Sequence, residues 1–288
     1  MTTSLNLSLD HLVVTTGFDL ERAAQLFSQL GFTLTEKGEH AFGSVNHLIL
    51  FEGCYLEIIG VPRNSPVQRK EVLDAPKGID GLVFNTGDAD ALHASLEAQG
   101  LPLQPLHAFG RMVERDGVMR EAMFRTVRAL PGTFEAGRVY YCQHLTPELI
   151  WIPALQQHRN GATSLVGLTL VTDDPAAQAQ KMAPWVGVQA EPTGDGGLRF
   201  ETGGFRLDVM PQAAYRERYG ALCCNALGRS SYFGAIHLSS SSLDTLAGVL
   251  DAAKEDRAFA HERSATSTAV LVAEFNALLV FHAASHAK

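Results

Sequence analysis

A strand–helix–strands pattern that returns four times constrains this chain more than any other feature. In the first copy, Leu9 to Val14 reads as a strand rich in leucine and β-branched residues. Asp19 to Leu30 follows as an amphipathic helix with its apolar face on Leu20, Ala23, Ala24, Phe27 and Leu30. Asp19 is placed to cap it and Gly31 to stop it. Phe32 to Thr35, Val45 to Phe51 and Tyr55 to Ile59 then read as three strands, the last two joined by a turn at Glu52-Gly53. The unit is βαβββ. A second copy opens at Gly81 with GLVFNTGDADALHASLEAQGLPL. A third opens at Gly167, with a helix that reads as shorter, and closes in GGFRLDVM; a fourth runs from Gly234 to NALLVFHA. The polar stretch LQQHRNGATS divides the copies into two pairs, residues 1 to 160 and 161 to 288. The fold class this predicts is α+β, with four degenerate βαβββ units paired into cupped mixed sheets.

Several function classes fall away on composition. The net charge is −8 and the basic residues are scattered, so the footprint of a nucleic-acid binder is missing. No strand is followed by a glycine-rich nucleotide-binding pattern. No apolar run approaches 18 residues and the opening MTTSLNLSLDH lacks the marks of a secretory signal, so neither a membrane span nor export is expected. Cysteines 54, 142, 223 and 224 form no CxxC pair, which suits a reducing, cytoplasmic compartment.

Two polar residues interrupt strands that otherwise alternate like half-buried ones, His11 in LDHLVV and Glu57 in YLEIIG. The first and last strands of a βαβββ unit lie side by side, and paired units curl into an open barrel, so the two side chains are expected to meet in the concavity. An imidazole and a carboxylate are an ordinary ligand pair for a divalent ion, and equally a buried hydrogen-bonded pair that holds a sheet together. The unit starts place glycine, at 81, 167 and 234, where the first unit has His11; the closing strands match Glu57 with Asp208 and Val280. In the closing strand of the second unit, GRVYYCQHLTPELIW, matching Gly137 to Gly53 sets Tyr141 opposite Glu57. His144 is the candidate third ligand although its parity then requires a bulge or turn, with Gln143 and Tyr141 as alternatives. His40 and Asn46 fall between the middle strands of the first unit. Arg111 follows a glycine at the expected barrel mouth, an anchor for an anionic or carbonyl oxygen or else a surface partner of Glu114 or Glu121.

These segments, LDHLVV through GFTLTEKGEHAFGSVNHLILFEGCYLEIIGVP, GRMVERDG and QHLTPELIWIPALQQHRNGA, resemble the glyoxalase-like group of the vicinal-oxygen-chelate superfamily. The resemblance covers about 160 residues; the second half is similar through its repeat alone. It implies a cupped sheet around a divalent ion (zinc, iron, manganese or nickel) held by His11, Glu57 and His144. It also implies Lewis-acid chemistry of lyase, isomerase or dioxygenase type on a small oxygenated metabolite. Glu57 would double as the base and Arg111 would orient the substrate. The chain departs from the group's pattern at Gly81, where the usual second histidine is missing. The alternative is a metal-free protein that binds or sequesters a small molecule, its cavity lined by Tyr55, Phe109, Tyr141 and Trp151. The carboxy-terminal pair reads as a degenerate scaffold or an interface partner, and a homodimer is among the expectations.

Overall fold

The computed structural model describes residues 7–40, 42–115, 117–253 and 258–284. The strands of the first half are β1 (Leu9–Thr15), β2 (Gly38–His40), β3 (Ser44–Leu50), β4 (Tyr55–Gly60), β5 (Gly78–Asn85), β6 (His107–Arg115), β7 (Val118–Arg128) and β8 (Arg138–His144). They form one mixed sheet in the order β2-β3-β4-β1-β5-β8-β7-β6. Helices α1 (Leu20–Gln29), α2 (Lys70–Leu73) and α3 (Ala89–Ala98) complete this half. The second half contributes β9 (Ala162–Thr172), β10 (Glu191–Pro192), β11 (Leu198–Thr202), β12 (Phe205–Pro211), β13 (Ser231–Ser240), β14 (Phe259–Arg263), β15 (Ser267–Val272) and β16 (Ala277–Ala283). Its sheet repeats the first, β10-β11-β12-β9-β13-β16-β15-β14, with helices α4 (Pro175–Val186), α5 (Gln212–Tyr219) and α6 (Leu243–Ala252). The expected tandem βαβββ units are therefore present, paired into two mixed sheets.

In each unit the first and last strands are neighbours and run parallel, β1 with β4 and β5 with β8. The two units of a pair meet where their first strands run antiparallel, β1 against β5. That junction explains Gly81. It sits opposite Val13, and a Cβ at Gly81 would come within 2.5 Å of Val13 Cγ2. The valine occupies the space that a second histidine would need.

Three local expectations are corrected. Phe32 to Thr35 is not a strand; Phe32 is buried in the core and Thr35 N donates to Leu48 O at 2.9 Å, while β2 begins only at Gly38. Asp19 does not cap α1, because its carboxylate is held by Arg63 and Lys77, each at 2.6 Å. The helix of the third unit is not short. It spans 12 residues, against 10 for α1, α3 and α6, because Pro184 falls in its last turn and Asp174 caps its start through Ala177 N at 3.0 Å.

A single apolar core runs through both halves, joining Leu12, Phe27 and Phe84 to Trp185, Phe200 and Phe281. Smaller apolar clusters line the other face of each sheet, one around Val13, Leu48 and Tyr55 and one around Val171, Tyr215 and Val280. Among the described residues no helix is long and apolar enough to cross a membrane.

Candidate active site

The site begins with an irregularity at the start of β1. Leu9 pairs with Phe84 and His11 with Val83, so Asp10 is an extra residue in a β-bulge. Strict alternation would send Asp10 and His11 to opposite faces. The bulge instead lets the fully buried Asp10 carboxylate reach the imidazole beside it. His11 Nδ1 lies 2.5 Å from Asp10 Oδ1, and Asn85 Nδ2 donates to Asp10 Oδ2 at 3.2 Å. His144 Nε2 is 2.9 Å from that same oxygen, at ion-pair distance. Asp10 thus sits between two imidazoles. Burial alone would raise its pKa, but His144 and His11 outweigh burial and hold the carboxyl well below the usual range.

With Nδ1 engaged by Asp10, His11 turns Nε2 toward Tyr140 OH at 3.1 Å and Glu57 Oε2 at 3.9 Å. Its ring stacks on Tyr55, the residue opposite it in β4, with centroids 4.4 Å apart. Glu57 is buried and accepts from Asn46 Nδ2 at 2.5 Å, and Asn46 Oδ1 accepts from Arg111 Nη1 at 3.3 Å. Burial pushes the Glu57 carboxyl up, but His11, His40, the Asn46 bond and Arg69 together bring it below the ordinary value. Arg111 is not a surface partner of Glu114 or Glu121; β6 carries it over the bowl, where it is buried against Asn46. A Cβ at Gly38 would meet Asn46 Oδ1 at 2.5 Å and Arg111 as well, so the glycine makes room for this bond.

These groups enclose a cavity of about 280 Å³. His40, Asn46, Tyr55, Phe109 and Arg111 all line it, together with Tyr140 and Cys142, which the sequence did not single out. His40 accepts from or donates to Ser44 Oγ at 3.1 Å. Burial, with Arg111 and Arg69 adding to it against the pull of Glu57, takes the His40 imidazole down to about 4. Trp151 lies behind the wall, stacked on His144 at 5.5 Å and tilted against Tyr55 at 5.8 Å.

Tyr141 is not a lining residue. It faces the common core, where its hydroxyl donates to Trp185 O at 2.6 Å. Gly81 pairs with Arg138 as His11 pairs with Tyr55, so Tyr140 rather than Tyr141 is the counterpart of Glu57. The glycine-to-glycine match was one residue out of register. Corrected, it puts Tyr140, Cys142 and His144 on one face of an unbroken strand, and His144 needs no bulge. His11, Glu57 and His144 nevertheless do not converge on one point, since Asp10 intervenes. The group whose ligand atoms do converge, within 4.8 Å of one another, is Asp10, Cys142 and His144. Sequence reasoning missed Asp10 and Cys142; a carboxylate directly before His11 in an otherwise apolar run was the available signal.

A family model described as a glyoxalase-like domain matches residues 9–186, more than half the chain and on through the end of α4. The chain belongs to that family. No curated protein matches it. Among solved structures, a hypothetical protein from Staphylococcus aureus superposes with a TM-score of 0.66 at 12% identity, over 96% of this chain and 100% of that one. A mutant 4-hydroxymandelate synthase from Streptomyces coelicolor gives 0.53 at 11% identity, over 96% and 92%. A xylose isomerase-like TIM barrel/4-hydroxyphenylpyruvate dioxygenase fusion protein gives 0.57 at 13% identity, over 99% of this chain and 51% of the fusion. At these identities the likeness concerns the fold.

Proposed function

We propose that this glyoxalase-like chain is an enzyme acting on a small oxygenated metabolite in the first-half cavity, with a divalent ion at Asp10, Cys142 and His144. The observation that carries the reading is His144. Its imidazole is buried on the face of β8 that carries Cys142, Nδ1 has no hydrogen-bond partner among the described residues, and Nε2 stands 2.9 Å from Asp10 Oδ2. A carboxylate, a thiol and an imidazole whose donor atoms lie within 4.8 Å of one another are spaced to share one cation. Oxygen, sulfur and imidazole donors fit a borderline ion, and the thiol favours zinc, iron or nickel over manganese. When bound, the ion would supply Lewis-acid charge at the cavity wall that Cys142 shares.

The chain's own residues would move the proton. Asp10 fixes the His11 tautomer, leaving Nε2 as the acceptor that faces the cavity, the role a carboxylate plays toward a catalytic imidazole. Tyr140 OH is within reach to donate to Nε2 or to a substrate oxygen. Burial holds the Tyr140 phenol well above its ordinary range, so it stays protonated. Arg111, steadied by Asn46, would orient an anionic or carbonyl oxygen, and Phe109 and Phe124 would cover an apolar body. Such a set suits a lyase or isomerase that shifts a proton next to a carbonyl. Four free cysteines fit a reducing compartment.

The metal-free binding reading retains one observation in its favour, that Glu57–Asn46 and His11–Tyr140 already satisfy one another. Elemental analysis of protein purified without chelator decides between them. The enzyme reading expects close to one transition-metal ion per chain, lost in Cys142→Ser and His144→Gln but kept in His11→Gln. A metal-free wild type would put the binding reading first, and loss in His11→Gln alone would reject the ligand set.

A further inference from the structure

The second sheet has a bowl of its own, in the position corresponding to the first. Arg206 lies opposite Gly167 as Tyr55 lies opposite His11, and Asp208 opposite Thr169 as Glu57 lies opposite Val13. The chemistry differs. The absence of a side chain at Gly167 gives room to Arg206, whose Cγ would stand 2.7 Å from a Cβ there. A cavity of about 340 Å³ is lined by Arg199, Arg206, Arg218 and Arg263, against the carboxylates of Asp208 and Glu262. Arg199, Arg218 and Arg263 have close partners in Asp208, Asp195 and Asp244, so Arg206, 3.6 Å from Asp208, is the guanidinium left least neutralised.

We propose that this second bowl binds a small oxyanion, a carboxylate or phosphate-bearing metabolite, separately from the first-half cavity. The hydrogen bonds at its floor leave donors over. Arg206 Nη2 donates to His282 Nε2 at 3.1 Å, and His237 Nδ1 stands 2.9 Å from the same nitrogen. His282 Nε2 is therefore an acceptor, and its proton sits on Nδ1, which has no protein acceptor among the described residues. His237 Nε2 in turn accepts from Thr169 Oγ1 at 2.8 Å. Arg206 Nε is buried and makes no hydrogen bond, the closest carboxylate oxygen of Asp208 being 3.6 Å away while the other takes Arg199 Nε at 2.6 Å.

His282 Nδ1–H and the incompletely paired Arg206 guanidinium thus remain for an anion, with Arg218 and Arg263 also lining the bowl, paired outward with Asp195 and Asp244 respectively. The imidazoles register the same field. Burial and Arg206 depress His282 to about 4 against the pull of Asp208, and burial with Arg206, His282, Arg218 and Arg199 keeps His237 neutral as well. Burial is the larger cause and would penalise a charge of either sign; it is the arginine contribution that favours a negative guest.

Calorimetric titration of the full chain with inorganic phosphate and, separately, malonate tests this. Saturable one-to-one binding of at least one is expected, weakened about tenfold in Arg206→Gln and unchanged in Arg22→Gln, a surface arginine paired with Glu274 outside both bowls. Tighter binding of phosphate would assign a phosphoryl ligand, and of malonate a carboxylate. No saturable heat up to about 20 mM, or equal binding by Arg206→Gln, would overturn the proposal. So would loss in Arg111→Gln instead, which would place the anion in the first bowl. Should Arg206→Gln lose its circular dichroism signal, the half-exposed pair Arg218→Gln/Arg263→Gln must weaken binding for the proposal to stand.

Discussion

Replacing Asp10 by asparagine keeps shape and removes one charge from the most enclosed point of the site. The carboxylate is fully buried, meets His11 Nδ1 at 2.5 Å and His144 Nε2 at 2.9 Å, and also accepts from Asn85. Hydrogen bonds to a charged group contribute about 1.5–3 kcal/mol each, so weakening the two that this carboxylate accepts from His11 and Asn85 costs about 3–6 kcal/mol. A chain of this size loses about 2–4 °C of Tm per kcal/mol, so Asp10→Asn is expected to melt on the order of 10 °C lower near pH 7. The sign of the pH dependence follows from the depressed carboxyl. A carboxylate with a folded pKa below its unfolded value contributes stability above about pH 4, and that contribution fades as pH falls toward the folded value. The gap between wild type and Asp10→Asn is therefore expected to narrow below about pH 4. Scanning calorimetry across pH, on metal-stripped samples of both proteins, measures it. Melting points within about 2 °C of each other at pH 7, or a gap that widens in acid, would refute the bridging role.

His40 stays neutral in the folded chain down to about pH 4, whereas an unfolded imidazole takes up its proton near pH 6.5. Stability is thus expected to fall as pH drops from 6.5 to 4, and His40→Gln should flatten that slope in melting curves; identical slopes would count against the assignment. The adjacent tyrosines should separate by face. Tyr141→Phe removes the bond to Trp185 O and is expected to cost about 1 kcal/mol in denaturant titrations without changing ligand binding, while Tyr140→Phe should weaken binding with a smaller loss of stability. A reversal of that pattern would put the wrong residue in the bowl.

The βαβββ periodicity was legible because each unit announces itself locally, through a strand of β-branched residues, an amphipathic helix and a glycine. His11, Glu57, Asn46 and Arg111 could be picked out because polar side chains stand out in strands that ought to bury apolar ones. Register and bulges were not legible. Gly137 immediately precedes β8 whereas Gly53 stands two residues before β4, so counting from Gly137 exchanged Tyr141 for Tyr140 and misread the parity of His144. Asp10 was hidden because its inward turn depends on β1 pairing with Phe84 and Val83, residues more than 70 positions away. Gly81 looked like a missing ligand; it is the consequence of two strands crowding at the junction, which only the pairing with Val13 discloses.

The core that joins the halves separates two burdens that most small domains combine. The residues that hold this molecule together, such as Phe27, Phe84, Trp185 and Phe281, lie in a common keel, while each bowl is floored by its own small cluster. No residue of either floor cluster belongs to the keel. A duplicated ancestor with this construction could let its two working surfaces drift apart under one structural guarantee. The contrast between His11–Tyr55–Glu57 in one sheet and Gly167–Arg206–Asp208 at the same register in the other is what such drift would leave behind.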